Sequence, residues 1–306
     1  MTQLSSASPA SAALAEPPAS AAPACAPDAR PSQLWSTLRA WPAMLSLAVL
    51  AAVVLVAVAA PLLAGHDPTE INPAERLRGI SSAHWLGTDA YGRDVFSRVL
   101  YGARVSLAVG LGVAASSLAI GLVIGVLAGY FRGVDAIVMR VMDGLMAIPG
   151  ILLAIALVSV SGASLLTVLV AITVPEVPRV VRLVRGVILG VRNEPYVEAA
   201  ITLGTPLPTL MVRHLVPSTI APLIVQCTYI FASAILTEAI LSFLGAGVPP
   251  ATSSWGNIMA EGRAYFQLFP GLVLYPGALL SLTVLSVNLL GDALRDALDP
   301  RMAKRM

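Results

Sequence analysis

The stretch LLTVLVAITVPEVPRVVRLVRGVILGV, residues 165–191, begins as a membrane helix and does not finish as one. Its apolar run from Leu165 is broken by Pro175, Glu176, Pro178 and Arg179, so hydropathy leaves a crossing here open. The surroundings are easier to read. Hydrophobic residues make up 57% of the chain and charged ones only 12%. Apolar runs of ~20 residues recur, the length that ~30 Å of hydrocarbon demands of a helix. Met44–Leu63, Val105–Gly129, about 137–160, Ile220–Leu244 and Leu268–Leu290 are such runs. The chain is an all-α polytopic membrane protein with five or six crossings, depending on residues 165–191.

Within these runs a few residues stand out. Gly121, Gly125 and Gly129 recur every fourth position, a stripe that lets two helix backbones approach in lipid. Arg140 and Asp143, three apart on one helix face, are expected to pair and so lower the ~3 kcal/mol cost of a lone charge at the bilayer centre; a transport role is the other reading. Pro149-Gly150 predicts a kink. Glu238 lies ~9 Å before the outer end of its run and is an intramembrane carboxylate, hence a functional candidate.

Charge constrains partners and only half constrains orientation. A formal charge of +2 does not indicate nucleic acid. With six crossings and an inner N-terminus, the outer segments hold Arg76, Arg78, Arg93, Arg98, Arg104 and Arg263, and the inner ones hold the rest of the 19 Lys and Arg. A five-crossing chain with an outer N-terminus satisfies the charge rule about as well. Residues 1–34 are Ala-, Pro- and Ser-rich without the basic and apolar regions of a secretory signal, and are expected to be a disordered tail. Cys25 and Cys227 have no metal or disulfide spacing.

One segment between apolar runs is polar and ordered: VEAAITLGTPLPTLMVRHLVP, Val197–Pro217. Glu194 is expected to cap a helix with Pro195 in its first turn, running to Leu203 and ended by Gly204. Thr205 is expected to cap a second short helix opened by Pro206, and Pro217 enters the next crossing. Tyr196, Val197, Ala200, Ile201 and Leu203 would give this knob an apolar surface, with Ala199 and Ala200 leaving room for a partner.

Glu198-Ala199-Ala200, Gly204 and then His214-Leu215-Val216-Pro217 resemble the EAA loop of permease subunits from ATP-driven importers. Leu86-Gly87-Thr88-Asp89, Gly92-Arg93-Asp94-Val95, Phe243-Leu244-Gly245, Ser254-Trp255-Gly256-Asn257 and Asn288-Leu289-Leu290-Gly291-Asp292 are similar to the C-type permease of the dipeptide/oligopeptide/nickel family. The similarity runs from about Trp35 to Arg301. It implies a type I ABC importer transmembrane domain with six transmembrane helices and cytoplasmic N- and C-termini, in the bacterial cytoplasmic (inner) membrane. The implied layout is a tail at 1–34, a first helix and external segment at 35–101, a permease domain at 102–291 with its EAA loop at about 190–217, and a tail at 292–306. Pro206, Pro208 and Ser218 depart from the family pattern.

The implied partners are a homologous B-type permease, one or two ABC ATPase subunits, a solute-binding protein outside the membrane and the lipid bilayer. The chain has no GxxxxGK[ST], and Lys304 is its only lysine, so it carries no Walker phosphate loop; ATP and Mg would be bound by the partner ATPase. No catalytic constellation or metal site is expected. Tyr196, Glu198, Ala199, Ala200, Gly204, His214 and Pro217 are the implied ATPase-coupling residues. Glu238, Asp143 and Glu176 are the pathway or gating candidates; interface or gating is favoured for Glu238 and helix pairing for Glu176. The implied cargo is a di- or oligopeptide, with nickel, glutathione or a similar solute as other members' cargoes. A proton- or ion-coupled secondary transporter is the alternative, one that would require internal repeats the sequence does not display.

Overall fold

The computed structural model describes residues 41–298; the tail expected at 1–34, Arg39, and Arg301, Lys304 and Arg305 lie outside the described residues. Ten α-helices follow in order: α1 Trp41–Leu63, α2 Val95–Tyr130, α3 Arg132–Ala147, α4 Gly150–Ser161, α5 Leu165–Val191, α6 Pro195–Thr202, α7 Leu207–Leu210, α8 Pro217–Phe243, α9 Trp255–Gly262 and α10 Gly271–Leu298. Among the described residues the only β pairing is an isolated bridge between Thr88 and Asp94. Helices α1, α2, α8 and α10 are long and apolar enough to cross a membrane. The pair α3 and α4 adds a fifth such segment, bent by 89°. The kink expected at Pro149 is therefore a full break between two helices.

The stretch at 165–191 is one unbroken helix of 27 residues with Pro175 and Pro178 inside it. Each proline removes a backbone donor, and in a membrane protein neighbouring helices make that loss tolerable. Here the neighbour is α2. A Cβ added at Gly121 would stand 2.5 Å from Val180 Cβ, at Gly125 2.7 Å from Val184 Cβ, and at Gly129 2.6 Å from Ile188 Cβ. The glycine stripe of α2 thus receives a β-branched stripe of α5 at the same spacing of four, and the two helices run parallel in contact. Ser116 and Thr173 hydroxyls meet across the seam at 2.9 Å. At its end Arg192 Nη1 donates to the Gly129 carbonyl at 3.3 Å.

Helix α3 attaches to the outside of α5 through two ion pairs. Arg182 Nη2 donates to Asp143 Oδ1 at 2.6 Å, and Arg185 Nη2 donates to Asp135 Oδ2 at 2.7 Å. The expected Arg140–Asp143 pair is not made. The two residues share a helix face, but α5 brings Arg182 onto Asp143, and the carboxylate pairs across the two helices instead.

Helix α2 has 36 residues, so it starts ten positions earlier than the apolar run at Val105, and along ~54 Å it carries the two polar ends of the molecule. Asp94 caps it, its Oδ2 accepting from Ser97 N at 2.7 Å. The early start brings Arg98 into the protein, 0% exposed. Its Nη1 donates to Asp89 Oδ2 at 2.5 Å and to Glu261 Oε2 at 2.6 Å, while Arg93 Nε donates to the same Asp89 oxygen at 2.7 Å. Two of the arginines that blurred the charge rule are thus consumed by a four-residue ionic cluster that clamps the 65–94 segment to α2 and α9.

Beside this cluster His84 bridges two carboxylates, with Nδ1 2.9 Å from Asp94 Oδ1 and Nε2 3.1 Å from Glu75 Oε2. His66, also nearby, brings the potential ligand atoms of His66, His84 and Asp94 within 4.8 Å of one another, but both His84 ring nitrogens are already engaged. Burial alone would lower the His84 pKa; the hydrogen bonds that its ring donates to the Asp94 and Glu75 carboxylates outweigh it and raise it above the ordinary 6.5. The His84 hydrogen bond, against some desolvation, holds Glu75 below its ordinary 4.5.

Two outcomes are expected. Gly125→Ala should lower the melting temperature of the purified protein through overpacking worth about 1–3 kcal/mol, whereas Gly186→Ala, which meets open space, should be neutral or stabilising; equal effects at the two positions would contradict the seam. The protonated His84 contributes stability below the unfolded value near 6.5 that is lost as pH rises through its raised folded value; Glu75 contributes above 4.5 what is lost on acidification. Hydrogen exchange across residues 72–94, corrected for intrinsic rates, should therefore be slowest between these limits, and His84→Gln should remove the alkaline limb.

Candidate functional site

The segment at 194–217 sits at the C-terminal end of the α2–α5 seam. Helix α6 begins at Pro195, whose fixed φ suits a first helical position. Glu194 occupies the cap position, but only its backbone takes part: its carbonyl accepts from Val197 N at 2.9 Å and Glu198 N at 3.1 Å, and its side chain makes no cap. The helix ends as expected at Gly204, φ +77°. Gly204 N donates to the Ile201 carbonyl at 2.9 Å and Thr205 N to the Ala200 carbonyl at 3.1 Å, the paired bonds of a Schellman ending.

The second helix starts one residue later than expected. Pro206 (φ −63°, ψ 143°) rather than Thr205 occupies its cap position, because an extended proline followed by Leu207-Pro208 delays the helical turn. Leu207–Leu210 then widens into a π-turn, Met211–Leu215, before Pro217 opens α8. His214 lies in that turn, half-buried, with Nδ1 buried and unpartnered among the described residues.

Burial sorts the expected apolar surface into two faces. Val197 and Ala200 are packed into the main core with Leu210 and Leu215, so they anchor the knob and do not present it. Tyr196, Ala199 and Leu203 are exposed at spacings of three and four, and Glu198 and Ile201 are exposed beside them. Leu203 is 85% exposed, a large apolar side chain held outward by a rigid helix end. The inward-turned residue of the Glu198-Ala199-Ala200 triplet is thus Ala200, whose carbonyl also closes the helix.

The three acidic candidates occupy different environments. Asp143 is an exposed partner of Arg182. Glu238 is 0% exposed and lies among hydroxyls: Ser242 Oγ and Ser254 Oγ each donate to its Oε1 at 2.8 Å, and Ser106 Oγ lies 3.5 Å from Oε2. It ties α2, α8 and the start of α9 together. Glu176 lines a cavity of about 330 Å³ where the α3–α4 break meets α5 and α8. Its carboxylate lies 3.3 Å from Arg179 Nη1 and 3.3 Å from Ser233 Oγ.

The stretch Ser254-Trp255-Gly256-Asn257, noted for its resemblance alone, has a physical account. Ser254 caps α9 while bonding Glu238; Trp255 Nε1 donates to the Val99 carbonyl at 3.1 Å. A Cβ at Gly256 would stand 2.7 Å from Ala239 Cα, so only glycine lets α9 lie on α8. Asn257 Nδ2 lies 3.0 Å from the Val248 carbonyl, 3.1 Å from that of Pro249 and 3.0 Å from that of Thr252, closing the loop before α9. Of the apolar surface expected on α6, Tyr196, Ile201 and Leu203 are exposed whereas Val197 and Ala200 turn inward, a division that required the fold.

Comparison with known proteins agrees with this architecture. Residues 121–304 match the family described as binding-protein-dependent transport system inner membrane component, and residues 34–79 match the N-terminal TM domain of oligopeptide transport permease C. A probable peptide ABC transporter permease of Sinorhizobium fredii is 53% identical over 82% of this chain and 86% of its own length. The dipeptide transport system permease of Alkalihalophilus pseudofirmus is 42% identical over 85% of this chain and 86% of its own. A chain of the MetNI methionine ABC transporter, in an inward-facing conformation, shares the fold with a TM-score of 0.54 at 20% identity, covering 67% of this chain and 97% of that one. With its helical bundle, its paired polar ends and these matches, the chain belongs to the binding-protein-dependent transport system inner membrane components, the permease subunits of ABC importers.

Proposed function

We propose that the chain forms half of the transmembrane pathway of a peptide importer, crossing the bacterial inner membrane six times with both termini in the cytoplasm. In this reading α5 is the fourth crossing and α3 with α4 the third. The layout follows the boundaries at 35–101 and 102–291, with tails at 1–34 and 292–306. A homologous permease supplies the other half, a solute-binding protein docks at the end built from residues 65–94 and α9, and ABC ATPase subunits, holding ATP and Mg, dock at α6 and α7.

The observation that carries this reading is the exposed Tyr196–Ala199–Leu203 stripe on a helix closed by its own glycine and rooted by Val197 and Ala200 in the bundle core. A short amphipathic helix laid into a partner's groove is anchored by such a stripe. Glu198 adds a charged group at its edge, and the small Ala199 lets the partner surface approach. The knob continues α5 through Arg192 and opens α8 through Pro217, so a rigid displacement of it moves both helices. Cargo is assigned as peptide from the relatives' own descriptions.

Glu198→Ala and Leu203→Asp should lower ATP-dependent dipeptide uptake about tenfold or more, the loss of one charge-assisted contact or one buried anchor, while the complex still assembles. Gly204→Ala should act similarly, because Ala at φ +77° costs about 1–2 kcal/mol although nothing lies within 4 Å of its added Cβ. Wild-type uptake from all three would refute the coupling role.

A further inference from the structure

We propose that the cavity bounded by the α3–α4 break, α5 and α8 is a subsite for the free amino terminus of a peptide, with Glu176 as its counter-charge. The inference rests on the peptide reading above and adds a residue and a chemistry to it.

Three observations meet at this place. The volume, about 330 Å³, falls within the ~300–1,000 Å³ of small-ligand sites, and apolar walls such as Ile148 and Ile172 surround a few polar groups. Those groups are Glu176, Arg179, Ser233 and Thr237, with Glu176 the carboxylate among them. Glu176 stands between Pro175 and Pro178, neither of which can donate to the Ala171 and Val174 carbonyls one turn back. A carboxylate on that wall suits a cation with several N–H groups.

Glu176 is also weakly neutralised. Its contacts from Arg179 come from one nitrogen at 3.3 Å, longer than the ~2.7–2.9 Å of a good charge-assisted bond, and the Arg179 side chain is 44% exposed. Neighbouring pairs are tighter: Arg182–Asp143 at 2.6 Å and Arg185–Asp135 at 2.7 Å. Glu238, one helix turn and a face away from Ser233, is satisfied by two hydroxyls at 2.8 Å and is fully buried. Charged side chains at membrane depth face a water-filled or functional space, and Glu176 is the carboxylate that does so with capacity to spare. Arg179, whose guanidinium lies 5.7 Å from the Tyr229 ring centre, can leave Glu176 and meet the carboxylate of a dipeptide while an ammonium takes its place.

The test uses the assembled complex with Thr237→Cys as a reporter on the cavity wall, in a Cys25→Ser, Cys227→Ser background. In the solubilised, nucleotide-free complex without binding protein, a cationic methanethiosulfonate should label Thr237→Cys about fivefold or more faster than an anionic one, as expected near one exposed-facing buried charge. Excess dipeptide should slow that labelling, and the N-acetylated dipeptide should not. Glu176→Gln should abolish the preference and Glu176→Asp should keep it. Equal protection by free and N-acetylated dipeptide overturns the subsite without recourse to any Glu176 variant, as does an unchanged preference in Glu176→Gln. Dipeptide uptake into liposomes by the complete wild-type complex is scored separately: its absence overturns the peptide reading, whereas uptake with equal protection overturns only the subsite.

Discussion

The close contact between α2 and α5 governs this structure. Hydrocarbon gives helices no hydrophobic reason to associate, so association depends on how near two backbones can come. Gly121, Gly125 and Gly129 admit Val180, Val184 and Ile188 to within distances that any side chain on α2 would forbid. That contact supports α5 as a helix through two prolines and four charged residues, which its own composition does not favour. It also places Glu176 at the cavity and carries the end of α5 to Arg192, just before the knob of α6 and α7.

Charge is distributed around the seam according to what can neutralise it. At one end of α2, Arg93 and Arg98 share Asp89 and Glu261, fixing the 65–94 segment; isolated in that burial, any one of these four would cost several kcal/mol. On the flank of α5, Arg182 and Arg185 pair with α3. In the bundle, Glu238 is surrounded by serine hydroxyls. Glu176 alone among these carboxylates lines that cavity, with its partners at 3.3 Å.

Helix α5 connects the cavity to the knob formed by α6 and α7. Its middle lines the cavity and its end runs directly into α6, whose inward face is locked into the same core cluster as Val184 and Ile188. Packed side chains thus run from α6 to Ile172 on the cavity wall, and the α3–α4 break and the π-turn before α8 are irregular places in the surrounding helices.

Much of this was readable in the chain itself. Apolar length settled the helical membrane class, the spacing of glycines announced a close helix contact, and Pro195, Gly204 and Pro217 marked the knob, because each depends on local backbone and burial preferences that a neighbouring residue cannot reverse. The Glu176–Arg179 pair within one helix was readable from its spacing, but pairing between helices was not. Asp143 joins Arg182 and not Arg140, Val197 and Ala200 turn inward, α2 begins ten residues before its apolar run, and Glu176, not Glu238, faces open space. Each of those outcomes depends on which side chain another helix brings within a few ångströms, so only the tertiary structure decided them.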